Sequence, residues 1–168
     1  MEDCMNTKAS VKAEFEPHKI VFPDLEACVA VVGYQLINFA GITPPPVQEI
    51  YTDYQQSGQG NGFRFLTKFV VDKFPQLETK YTPHEMIVDL DAYMQKCLEV
   101  LGKGNPIGIS PGGVGGHVAV LVEVDLQEGT LKWWEAQSGQ YRKVTKKDFD
   151  NRKFHTYETF YLVKKSNS

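Results

Sequence analysis

The sequence predicts an α+β fold, with N-terminal helices packed on a C-terminal antiparallel β-sheet. Two observations predict it. Up to Gly104, apolar residues recur at spacings of three and four between Gly and Pro breaks, the period of helices with a buried face. From Asn105 onward the segments are short, β-branched or aromatic, and bounded by turn residues, as strands are. Helices in one half and strands in the other imply segregated layers, with the helices on one face of the sheet. At 168 residues and 42% hydrophobic, the chain is long enough for one substantial core. Residues 1–16 read as a loose polar arm and residues 17–168 as a single domain.

The elements follow in order. Asp24 is placed to N-cap a helix in which Leu25, Cys28 or Val29, Val32, Leu36 and Phe39 share a face, and Gly41 closes it. Thr43-Pro44-Pro45-Pro46 is a stiff connector to a short helix over Val47 to Gln56. Ser57 to Gly62 (SGQGNG) is a polar loop, followed by a helix FRFLTKFVVDKF that stops before Pro75. Thr82-Pro83 reads as an N-cap with proline at the first helical position. It would start a helix through Met86, Leu90, Tyr93, Cys97 and Leu101, ended by Gly102 and Gly104. Five strand segments follow: PIGIS, HVAVLVEV, TLKWWEA, QYRKV and TYETFYLV, with a helical turn at Thr145 to Asp150 before the last.

The stretch Gly112 to Gly139 carries the chemistry. A glycine-rich turn delivers His117 to the start of an apolar strand, and the turn Asp125 to Gly129 reverses the chain into a strand ending Glu135-Ala136-Gln137-Ser138-Gly139. A histidine at one strand start and a carboxylate or amide at the next strand's end lie side by side in such a hairpin. Glu135 or Gln137 would then hold one ring nitrogen of His117. Cys28 lies in the first turn of its helix, where the dipole favours an anion and a nearby imidazole would activate the thiol further. Such a thiol attacks carbonyl carbon, and amide or ester hydrolysis proceeds through an acyl-enzyme.

An N-terminal helix with a cysteine, further helices, a histidine strand and then an acid or amide strand is an order that resembles papain-like cysteine proteases. The C-terminal part is similar to the bacterial branches. Leader-processing bacteriocin peptidases have a similar histidine strand and following turn. Papain-fold toxins and effector deamidases have a strand end similar to Trp134-Glu135-Ala136-Gln137-Ser138-Gly139, and GNPIGIS resembles the strand before their glycine loop. The resemblance covers roughly 17–41 and 105–149 and implies a papain-like fold. It implies His117 as base, Glu135 as orienting acid with Gln137 as fallback, and Cys28 as nucleophile. It implies a protein or peptide substrate, cleaved or deamidated at glutamine. Acyl transfer by the same thiol is a further option.

A shifted register stays open. Six positions before Cys28, where the peptidase branch has a glutamine serving the oxyanion hole, stands Phe22. Sliding the match puts His18 in the glutamine slot and Asp24 in the nucleophile slot, or Leu25 in the toxin-branch slot. That register implies an inactive papain-like fold that holds a peptide or partner protein in its cleft.

Other classes are disfavoured. A net charge of -3 with no long Lys/Arg run argues against nucleic-acid binding. No apolar run approaches a membrane span and the N-terminus lacks a secretory apolar region, so no membrane association and a cytoplasmic location are expected. Three cysteines without a CxxC pair argue against a disulfide scaffold or a paired-cysteine zinc site. The loop Gly112 to Gly116 lacks the lysine and following helix of a nucleotide loop. No cofactor or metal is therefore expected. Cys97 reads as core, Cys4 as an arm residue, and His84 and His155 as surface residues. Trp133 and Trp134 read as one ring in the core and one at the surface or cleft rim.

Overall fold

A computed structural model describes residues 6–12, 15, 27–83, 89–111, 117–136, 138–150 and 156–166. Its elements are β1 (Lys8–Ser10), α1 (Ala27–Phe39), α2 (Val47–Ser57), α3 (Gly62–Lys73), β2 (Leu77–Thr82), α4 (Leu90–Gly102), β3 (Ile107–Ser110), β4 (Ala119–Asp125), β5 (Thr130–Trp134), β6 (Tyr141–Thr145), α5 (Lys146–Asp150) and β7 (Thr156–Lys164). The strands form one antiparallel sheet in the order β2-β7-β3-β4-β5-β6. The first half of β4 pairs with β3, through Ile109↔Ala119. Its second half pairs with β1, through Ser10↔Glu123.

Helix α1 is apolar on nearly every side (ACVAVVG) and buried on nearly every side, which makes it a central helix rather than a surface one. It packs with α2 and α3 over one face of the sheet, against Val118, Val120, Val122, Trp134, Phe160 and Leu162. The N-terminus of α3 is fixed by Asn61, whose Oδ1 accepts from the backbone N–H groups of Phe63 (3.0 Å) and Arg64 (3.1 Å). Gly62 then meets α1 closely: a Cβ there would lie 2.5 Å from Val29 Cγ2, so only glycine admits this approach.

The expected placement of all helices on one face is corrected. Helix α4 and the short α5 cover the opposite face, against Ile107, Ile109, Ala119, Leu121, Leu131 and Trp133. Strand β4 feeds both cores because its side chains alternate. A bulge at Val122, where Leu121 pairs with Trp133 but Glu123 with Lys132, reverses the alternation and turns Val124 toward the α4 side. Adjacent Trp133 and Trp134 therefore go to opposite cores, and both are buried rather than one lying at the surface.

Two further expectations change. The segment Leu77 to Thr82, not expected as a strand, is an edge strand on β7, and the helix start expected at Thr82-Pro83 leads into residues outside the described ones. Helix α4 starts at Leu90 and is capped by Asp89, whose carboxylate accepts from the N–H of Ala92 (2.8 Å). Within the expected loose arm, Lys8 to Ser10 forms β1, extended by Val11 N–H to Val122 O (2.8 Å) and Leu126 N–H to Thr7 O (2.7 Å).

Candidate functional site

Cys28 lies at the start of α1 and is fully buried. His117 stands two residues before β4 and Glu135 directly after β5. The register Val120↔Trp134, continued one step, puts position 135 level with Ala119, on the face shared by His117. The two side chains are thus diagonal neighbours, within reach for long side chains. Glu135 Oε2 and His117 Nε2 are directly hydrogen-bonded. The backbone of Glu135 is held on both sides: its N–H donates to Gln140 O (2.9 Å), and its carbonyl accepts from Gly139 N–H (2.9 Å).

The imidazole is also hydrogen-bonded to the Cys28 side chain. With Nε2 taken by Glu135, Nδ1 is the nitrogen left for sulfur. The three side chains proposed from sequence therefore meet as a chain: Cys28, His117, Glu135. The bond with Cys28 and then the bond with Glu135 push the His117 pKa up to about 9, against the opposing effect of burial. Burial works to raise the Glu135 carboxyl, but hydrogen bonds from His117 and Trp133 outweigh it and hold the group below its ordinary value. The His117 side chain is 25% exposed and that of Glu135 16%, so the pair borders solvent.

Sequence reasoning missed one partner. The indole N–H of Trp133 donates to Glu135 Oε1 at 2.7 Å. The available signal was the spacing of two on a strand, which places residues 133 and 135 on one face. It also missed a polar cluster at the end of β3. Glu158 Oε1 accepts from Tyr81 OH (2.7 Å) and Asn61 Nδ2 (3.4 Å), while its Oε2 accepts from Ser110 Oγ (2.8 Å). Burial and then the bond to Glu158 push the Tyr81 hydroxyl up to about 12. The cluster ties the cap of α3 to the strand that leads toward His117.

Cys97 is buried under α4, and burial pushes its thiol up to about 12. Cys4, His18, Phe22, Asp24, Leu25, His84, Gln137, His155 and the loop Gly112 to Gly116 lie outside the described residues. Among the described residues, no cluster of three or more His, Cys, Asp or Glu side chains is arranged to hold a metal ion. Nor is any helix among them long and apolar enough to cross a membrane.

No known family's sequence model matches the chain. No curated protein matches it significantly. Solved structures do. One is a double glycine motif protease from an AMS/PCAT transporter, in complex with the leader peptide. It superposes with a TM-score of 0.59 at 15% identity, covering 94% of this chain and 99% of that one. Another is the peptidase domain of Streptococcus ComA, a bi-functional ABC transporter involved in a quorum sensing pathway. It superposes with a TM-score of 0.59 at 14% identity, covering 90% of this chain and 100% of that one. Both neighbours are papain-like cysteine peptidase domains, and the chain shares their papain-like fold.

Proposed function

We propose that this protein is a papain-like cysteine hydrolase acting on an amide bond of a protein or peptide, with Cys28 as nucleophile, His117 as base and Glu135 as orienting acid. The observation that carries the reading is the unbroken hydrogen-bonded chain from the Cys28 thiol through His117 to Glu135. A core cysteine needs no imidazole, and a strand-start histidine needs no thiol. The leader peptide bound to one of the structural neighbours supports a peptide substrate here.

The geometry supports these roles. The Cys28 sulfur, its proton held by His117, attacks the substrate carbonyl carbon, forming a C–S bond and a tetrahedral oxyanion. The oxyanion collapses, the C–N bond breaks, and the imidazolium returns its proton to the leaving nitrogen. A thioester remains on Cys28. Water, deprotonated by His117, then attacks that carbonyl and frees the thiol. Glu135 stays ionised throughout, fixing the ring and stabilising its charged form. The leaving group is an amine-terminated peptide in proteolysis and ammonia in glutamine deamidation.

A second reading, an inactive papain-like fold that holds a peptide, is favoured by the full burial of Cys28. One experiment separates the two: carboxymethylation by iodoacetamide at neutral pH, located by peptide mass spectrometry. The hydrolase reading expects Cys28 to react faster in the folded protein than in the denatured chain, and His117→Ala to abolish the difference. Slow labelling of Cys28 that ignores His117→Ala would overturn it in favour of the inactive reading.

A further inference from the structure

We propose that Trp133 is a positioning residue for this site: its indole N–H fixes one carboxylate oxygen of Glu135 so that the other faces His117. The inference rests on the roles given above to Cys28, His117 and Glu135. It adds a group that acts on the site through Glu135.

Three observations converge. First, the carboxylate is divided between two donors, with Oε1 on Trp133 Nε1 at 2.7 Å and Oε2 on His117 Nε2. Second, the final torsion of a glutamate side chain is soft, with a broad distribution rather than three sharp wells. The backbone clamp to Gln140 and Gly139 fixes the start of the side chain but not its tip. A directed N–H donor on one oxygen supplies that constraint. Third, the donor is itself packed on its far side. Trp133 is fully buried, and its ring meets Phe149 of α5 edge-on at 6.1 Å. Phe149 in turn stacks on Tyr93 of α4 at 6.0 Å. The core behind the sheet thus holds the indole, and the indole holds the carboxylate. A buried indole N–H requires an acceptor, and strand alternation makes Glu135 the acceptor within reach.

The test is the pH dependence of Cys28 carboxymethylation in the intact chain, for wild type, Trp133→Phe, Glu135→Ala and the double variant. Phenylalanine keeps an aromatic ring and removes the N–H. Trp133→Phe is expected to slow labelling at neutral pH by roughly tenfold, the scale of one hydrogen bond to a charged group. It is also expected to move the acidic limb of the profile to higher pH, because a buried carboxylate that loses a donor protonates sooner. In the Glu135→Ala background, which has no side-chain acceptor for the indole, the same substitution is expected to add little, since the double-mutant cycle isolates the pair. An unchanged profile, or an equal effect with and without Glu135, would make Trp133 merely structural and overturn the proposal while leaving the hydrolase assignment standing. Labelling that ignores His117→Ala in the wild-type chain overturns both.

Should Trp133→Phe fail to fold, the native chain still decides. Its two tryptophans give two indole N–H resonances. One is expected to shift as the Glu135–His117 pair titrates and to lose that shift in Glu135→Gln. Two indole signals indifferent to both overturn the proposal.

Discussion

The side chain of Cys28, at the start of α1, is hydrogen-bonded to the imidazole of His117, at the approach to β4. Helix and strand come from opposite halves of the chain. The contact is therefore held by the packing of α1 on the sheet rather than by a local turn. Four expectations follow from this arrangement.

Replacing His117 by alanine is expected to lower any amide-hydrolysing activity by about 10²-fold or more, the range of a positioned base. Far-ultraviolet circular dichroism should remain unchanged, because the ring borders solvent and fills little of either core. Steady-state hydrolysis of a peptide library, read by mass spectrometry, checks it. The same data sort the chemistry, since a glutamine converted to glutamate without chain cleavage marks deamidation.

The pair Glu135–His117 should make stability depend on pH in a defined direction. The His117 pKa rises on folding from 6.5 to about 9, so its contribution is fully present below 6.5 and lost as pH climbs through about 9. The Glu135 pKa falls on folding, so its contribution is present above the ordinary carboxyl value of 4.5 and lost as pH drops through the folded value. The melting-temperature gap between wild type and Glu135→Gln should be widest between those limits and close toward both extremes. A gap that widens steadily into alkali would contradict the assignment.

Gly62→Val should destabilise the fold by about 1–3 kcal/mol through overpacking. A Cβ at Gly62 would sit 2.5 Å from Val29 Cγ2, and Val29 follows Cys28 directly. The start of α1 must then move away from α3, and labelling of Cys28 should change with it. Urea denaturation measures the first effect and carboxymethylation the second.

Glu158→Leu should cost about 1–3 kcal/mol, because it leaves Tyr81, Ser110 and Asn61 without their shared acceptor. Glu158→Gln keeps an acceptor oxygen and should recover part of the loss. Cys97→Ala gives the contrast: a core truncation that lowers stability and leaves any hydrolytic activity intact. Paired denaturation and activity measurements distinguish the three.

Much of the site was legible in the chain because it is local. His117 and Glu135 belong to consecutive strands, and a short turn fixes their register, so pattern alone brings them together. The helices α1 to α3 were legible for a similar reason, since apolar period and Gly/Pro breaks act within a few residues. Strand β2 was not: LETKYT has a single buried side chain, and its pairing with distant β7 makes it a strand. The second core was also hidden, because no local signal states which face of a sheet a helix will cover.

By itself, then, the sequence determined the α+β class, the order of most elements, and the candidate trio Cys28, His117 and Glu135. Tertiary structure decided whether the trio met. Cys28 reaches His117 because a wholly apolar α1 must be buried against the sheet, and its start meets the approach to β4 where the imidazole stands. The indole of Trp133 faces Glu135 because the opposite core, closed by α4 and α5, holds its ring in place. Local periodicity specifies elements. Contacts between distant elements depend on how two apolar faces fill the same space, and that is settled only when the chain has folded.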